Sequence, residues 1–171
     1  MTGKVHIYTG DGKGKTTAAL GLALRAAGHG MRSFVGQFMK GTPYGELAVL
    51  ARIPEIEVVQ FGWPGCVRKE DMGDFHRGKT GEGLAVCETK AGSGAFDLLI
   101  LDEACVAVWF GLLDERALLD FVERWRKTHE IVLTGRCASP AILDEADLVT
   151  HMECRRHYFD KGVFARKGIE R

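Results

Sequence analysis

Residues Thr9-Gly10-Asp11-Gly12-Lys13-Gly14-Lys15-Thr16 interleave three glycines with charge and close on a lysine and a hydroxyl. Glycines let the backbone curl until successive N–H groups point inward, an arrangement that cradles phosphate oxygens. Lys15 is placed to reach the terminal phosphates of a nucleotide, Thr16 to set a hydroxyl on Mg²⁺, and Thr17 opens the segment that follows. The run is a Walker A loop with one departure: its first position, ordinarily glycine, is Thr9, and a glycine stands one place later at Gly10. A second cluster, Asp102-Glu103, follows Leu98-Leu99-Ile100-Leu101. Apolar residues running into two acids form a Walker B pattern. Asp102 would hold Mg²⁺ directly or through water, and Glu103 would ligate it or orient a reactant.

Three further groups have two readings each. Arg136, after Leu133-Thr134-Gly135, carries a fork of donors suited to phosphate, and a solvated turn arginine fits the position equally. Lys40, after Gln37-Phe38-Met39, is either a phosphate contact or a solvated lysine. In Phe61-Gly62-Trp63-Pro64 two large aromatics sit past the end of an apolar run. Exposed there, they would form a platform for a flat or apolar ligand; packing beneath a loop is the alternative. Trp109 and Trp125 fall at helical core spacing and are assigned no function.

These groups need a scaffold that gathers them, and the periodicities supply one. Strands are predicted at Val5-Tyr8, Ser33-Phe38, Glu57-Phe61, Phe96-Glu103, Ile131-Thr134 and Leu148-Met152. Helices are predicted after the glycine loop from Thr17 to Leu24, over roughly Met72 to Lys90, from Glu115 to Thr128, and briefly from Pro140 to Glu145. Strands alternating with helices, most of the strands uniformly apolar, indicate an α/β fold with a mostly parallel sheet covered on both faces. Ligands of such sheets gather at the carboxyl ends of the strands, where the loop, Asp102-Glu103 and Gly135-Arg136 would converge. The expectation is one P-loop NTPase-like (RecA-like) domain over residues 1–171.

Charge is balanced, with Lys+Arg 23 against Asp+Glu 23, which argues against nucleic-acid or membrane-surface partners held by bulk electrostatics. No apolar run reaches the length of a membrane span, and the N-terminus reads as fold rather than leader. The five cysteines are widely spaced without a Cys-x-x-Cys pair. They read as reduced, mostly buried thiols of a cytoplasmic protein, not as a zinc site.

On these residues the chain resembles the P-loop ATP:corrinoid adenosyltransferases of cobalamin biosynthesis. The resemblance spans nearly the whole sequence. It rests on Thr9 to Ala19, Gly21 to Ala26 with Gly28-His29-Gly30, Gln37 to Gly41, Leu101-Asp102-Glu103 and Thr134-Gly135-Arg136. The tail Ala146 to Thr150, Lys161-Gly162 and Gly168-Ile169-Glu170 also matches. Threonine at the first loop position is usual in this family. The resemblance implies transfer of the 5′-deoxyadenosyl group of ATP to the Co(I) of a corrinoid, with triphosphate leaving and Mg²⁺ or Mn²⁺ required. It implies ATP held in a reversed sense, its γ-phosphate in the loop. It further implies that Phe61 and Trp63 match an aromatic pair that displaces the lower axial ligand of Co(II), and that the partners are a corrinoid, a flavoprotein reductant and a second copy of the chain. The surroundings of the pair, Gly62 and Pro64-Gly65-Cys66, differ from the better-known members, and the N-terminal extension those members carry ahead of the first strand has no counterpart here. The competing readings are a P-loop ATPase or kinase of another family and a non-catalytic nucleotide-binding regulator.

Overall fold

The computed structural model describes residues 3–65 and 67–170, so Cys66 lies outside the described residues. In chain order the elements are β1 (Val5–Thr9), α1 (Lys15–Ala27), β2 (Ser33–Lys40), α2 (Gly45–Leu50), β3 (Ile56–Trp63) and α3 (Asp74–Gly92). There follow β4 (Leu98–Asp102), α4 (Ala104–Trp109), α5 (Glu115–Trp125), β5 (Glu130–Thr134), α6 (Pro140–Asp144) and β6 (Leu148–His151). The six strands form one sheet in the order β3-β2-β4-β5-β1-β6, every pairing parallel. The expected α/β fold is therefore the observed one.

Side-chain alternation decides which layer each strand residue joins. On β4, Leu98 and Ile100 pack with Ala19, Leu20, Ala23 and Ala26 of α1, while Leu99 and Leu101 pack with α3, α5 and α6 on the opposite face. Both faces are covered, which is why the strand reads as an unbroken apolar run. The alanines of α1 keep that helix close to the sheet and its N-terminus close to the strand ends. Local signals set the helix starts on the other face: Asp114 accepts from Ala117 N–H at 2.8 Å to cap α5, and Ser139 caps α6 ahead of Pro140.

Several expectations are corrected. β3 does not stop at Phe61; its pairing with β2 runs on to Lys40↔Trp63, so both aromatics belong to the strand. They share a face, and Phe61 is wedged into the core, 7 % exposed, with its ring 5.7 Å from that of Phe38. Gly83 of α3 gives it room, because a Cβ there would lie 2.7 Å from the Phe61 ring. A glycine that weakens α3 as a helix by propensity thus serves its packing. Trp109 is not a core residue: it is 52 % exposed, with Lys69 Nζ 5.0 Å from its ring centroid. Of the described cysteines only Cys87 and Cys105 are buried, which pushes both thiols up to about 12, whereas Cys137 and Cys154 are exposed. Among the described residues, no helix is long and apolar enough to cross a membrane.

Candidate functional site

The departure at Thr9 has a simple backbone cause. Thr9 pairs with His151 of β6 and is still strand, so the turn that needs glycine begins at Gly10, where φ is +92°. The next segment is pinned by the chain beyond β6: Met152 N–H donates to Thr9 O at 2.8 Å, and Gly12 N–H donates to Met152 O at 2.6 Å. A Cβ on Gly12 would lie 2.7 Å from that oxygen, so the glycine is required by close approach. Gly14, at φ +117°, closes the loop at the head of α1, whose first N–H groups have no partner within the helix. Lys15 is only 7 % exposed, and its Nζ donates to Gly10 O and Gly12 O, each at 2.7 Å. Burial draws its pKa below the ordinary lysine range, against the pull of Glu103.

Asp102 stands two residues past Ile100 and therefore faces α1. It is 1 % exposed and fully partnered. Oδ1 accepts from Thr16 Oγ1 at 2.8 Å and Thr134 Oγ1 at 2.6 Å, and Oδ2 from Lys40 Nζ at 2.8 Å and Gln37 Nε2 at 3.2 Å. Thr134 matters because β5 lies between β4 and β1; its hydroxyl also accepts from Glu103 N–H at 2.9 Å and so bridges the two halves of the site. Gln37 pairs in register with Asp102 and is itself held by Gln60, whose Nε2 donates to Gln37 Oε1 at 3.0 Å. Gln37 and Thr134 stand inside recognisable sequence runs, but their contacts with Asp102 are set by neighbouring strands and are not apparent from the sequence. The available signal was a polar residue inside an otherwise apolar strand.

Strict alternation would send Lys40 to the α3 side of the sheet. Met39 prevents this: its φ of +59° breaks the alternation, its side chain packs with the α3-side core, and Lys40 returns to Asp102. A β-branched residue resists that conformation most. Met39→Val is expected to lower stability by ~1–2 kcal/mol, and Met39→Leu by less. Denaturant unfolding checks this, and equal losses for the two would show that the backbone conformation carries no cost.

Glu103 forms the whole connection between β4 and α4, at φ +62°. Burial first, and then repulsion from Asp102, pushes its carboxyl above the usual range. Its position opens onto two cavities that flank the sheet's carboxyl edge. The first, about 970 Å³, is lined by residues 11–17, Lys40, Glu103 and Arg136, with Leu24 and Val49 on its apolar side. The second, about 930 Å³, is lined by Phe38, Trp63, Met72, Val106 and Phe110 among others. The two share Lys40, Tyr44, Gly45, Glu103 and Gly168.

The sequence-predicted residues are thus mostly brought together. Thr9 and Gly10 form the root of the loop, and Asp102 lies beneath Thr16. Two residues stand elsewhere. Phe61 is not among the residues lining either cavity, because strand β3 carries it into the core behind Phe38. Lys13 lines the first cavity but turns its Nζ to Tyr158, Ile169 and Glu170 rather than toward the phosphate loop.

No group of three or more His, Cys, Asp or Glu able to hold a metal occurs among the described residues. The oxygens of Thr16 and Asp102 nonetheless fit a hard divalent cation that takes its other ligands from phosphate and water. A cation already sits on both: Lys40 Nζ is 3.1 Å from Thr16 Oγ1 and 2.8 Å from Asp102 Oδ2.

A parallel sheet with this loop at the end of β1 and these acids at the end of β4 is an α/β fold of the P-loop NTPase-like class. The family model for the ATP:corrinoid adenosyltransferase BtuR/CobO/CobP matches residues 1–171, and the chain belongs to that family. It is 34% identical to a corrinoid adenosyltransferase of Pseudomonas aeruginosa over 98% of this chain and 83% of the relative. It is 33% identical to the corrinoid adenosyltransferase of Escherichia coli and 34% to corrinoid adenosyltransferase CobA of Salmonella typhimurium, each over 98% of this chain and 85% of the relative.

Proposed function

We propose that this chain transfers the 5′-deoxyadenosyl group of ATP to the Co(I) of a corrinoid, the activity of its family. The observation that carries the reading is the pair of adjoining cavities with a shared wall at Lys40 and Glu103, one built around a phosphate loop and the other aromatic and apolar. In this reading the triphosphate lies in the first cavity and the corrin enters the second. The Co(I) lone pair attacks the 5′ carbon, the bond from that carbon to the α-phosphate oxygen breaks, and its electron pair leaves with the triphosphate. Co(I) is the nucleophile, so no side chain has to remove a proton. The protein's work is to bind, orient and neutralise.

Lys15 and the amides at the head of α1 balance the charge of the leaving triphosphate. Mg²⁺, or Mn²⁺ in its place, would be held by Thr16 and Asp102, with Glu103 beside them, and would supply further charge neutralisation. Lys40, on both the Asp102 carboxylate and the cavity wall, is suited to follow the phosphates, and Arg136 at the rim supports the same end of the nucleotide. Trp63 supplies an aromatic face to the second cavity, in line with a role in displacing the lower axial ligand of Co(II). A flavoprotein reductant, a homodimer and a cytoplasmic setting belong to the same proposal.

Family membership favours this reading over phosphoryl transfer. It is tested by the dependence of ATP consumption on corrinoid. With chemically reduced Co(I)cobalamin, ATP should be consumed one for one with adenosylcobalamin formed, and consumption should cease when the corrinoid is left out. Steady ATP turnover without corrinoid would favour an ATPase.

A further inference from the structure

The C-terminal segment lies against the phosphate loop without a core of its own. Residues 163–169 are exposed throughout, Phe164 at 75 % and Ile169 at 59 %. Apolar burial therefore does little to hold it. A polar cluster does. Glu170 accepts from Arg166 N–H at 2.8 Å, from the Arg166 guanidinium at 3.1 and 3.3 Å, from the Tyr158 hydroxyl, and from Lys13 Nζ at 2.9 Å. Lys13 Nζ also donates to Tyr158 Oη at 3.1 Å and to Ile169 O at 3.3 Å. The Arg166 guanidinium lies 4.8 Å from the Tyr158 ring centroid. These bonds, Arg166's foremost, hold the Glu170 carboxyl well below the usual carboxylate range.

Among the residues of this cluster, Lys13 alone comes from outside the tail, and it comes from the middle of the phosphate loop. The segment it secures is a wall of the site: Gly168 lines both cavities, Lys167 the second, and Ile169 and Glu170 the first. We propose that Lys13 and Glu170 form a clasp by which the phosphate loop holds the C-terminal segment as the partition between the nucleotide and corrinoid cavities. Glu170 is then a positioning residue for the corrinoid side. Lys13 serves the clasp rather than the phosphates. Because the loop that takes the triphosphate also holds the partition, occupancy of the first cavity fixes a wall of the second, and the coupling acts equally in both directions. The clasp rests on its own geometry; only the identity of the second ligand rests on the adenosyltransferase reading.

Amide hydrogen exchange over residues 158–170 of the intact chain tests the clasp, with strand β4 as an internal reference for global stability. Glu170→Gln and Lys13→Ala are expected to speed exchange in that segment by about tenfold while β4 is unchanged, the size of losing one charge-assisted hydrogen bond. Lys13→Arg should keep the protection, because it keeps the ion pair. In kinetics with Co(I)cobalamin, Glu170→Gln should raise the corrinoid KM by about tenfold, more than it lowers kcat and more than it raises the Kd of ATP. Unchanged exchange in both variants, or an ATP Kd that rises by the same factor as the corrinoid KM, would overturn the clasp. Were the wild-type chain to form no adenosylcobalamin, the functional reading would fall, and the exchange experiment would still decide the clasp.

Discussion

Replacing Lys15 with alanine is expected to slow adenosyl transfer by roughly 10²–10³-fold, the loss typical when one preorganised charge is removed from a developing anion. The leaving group is an intact triphosphate, so negative charge grows at its α end as the bond to the 5′ carbon breaks. Lys15 is held by two loop carbonyls at 2.7 Å in a pocket that leaves it 7 % exposed. In such a setting a charge acts through a lower dielectric than water offers. Truncation also strips Gly10 O and Gly12 O of their shared donor, which loosens the loop. The variant should therefore lose both ATP affinity, read by equilibrium binding, and transfer rate, read at saturating Co(I)cobalamin. Transfer at the wild-type rate would mean that the loop does not carry the triphosphate.

The second large effect separates two aromatics that the sequence places side by side. Phe61→Ala should cost ~3–5 kcal/mol of stability, because it opens a hole between Phe38 on β2 and Gly83 on α3. Thermal or denaturant unfolding measures it. Trp63, at the cavity, packs edge-on to His76 with centroids 4.3 Å apart. Trp63→Ala should slow adenosylation about tenfold when the corrinoid is supplied as Co(II) with a reductant, a loss in the range of one specific aromatic contact. It should matter less when Co(I) is supplied ready-made, because ligand displacement is then no longer needed. Equal losses in the two assays would remove Trp63 from the reduction step. A stable, fully folded Phe61→Ala protein with the same Co(II)-specific defect would return Phe61 to the corrinoid side.

What the sequence revealed was local geometry carried by contiguous residues. The loop from Gly10 to Thr16 and the acids at the end of β4 were legible as structure because each is a local run whose spacing is fixed by the backbone. Alternation on β4 even predicts the face of Asp102. What stayed hidden depends on other strands. That Thr134 bridges Asp102 and Glu103 follows from β5 inserting between β4 and β1, a matter of sheet order. That Lys40 reaches Asp102 follows from a left-handed Met39, which no propensity suggests for a methionine. Lys13 looked like one more loop residue, and its partners lie about 145 to 157 positions away. Phe61 and Trp63 were recognisable as a pair, but only the β2–β3 ladder shows that both belong to the strand and share a face, with Phe61 packed beside Phe38 and Trp63 further along where that face meets a cavity.

Adenosyl transfer breaks ATP at the 5′ carbon and not between phosphates. Phosphorus-31 NMR of a single reaction with ATP, Mg²⁺ and Co(I)cobalamin reads this directly. Inorganic triphosphate is expected in amounts equal to the adenosylcobalamin formed, with no ADP and no orthophosphate ahead of it. ADP and orthophosphate as the first products, with the cobalt left unalkylated, would contradict it.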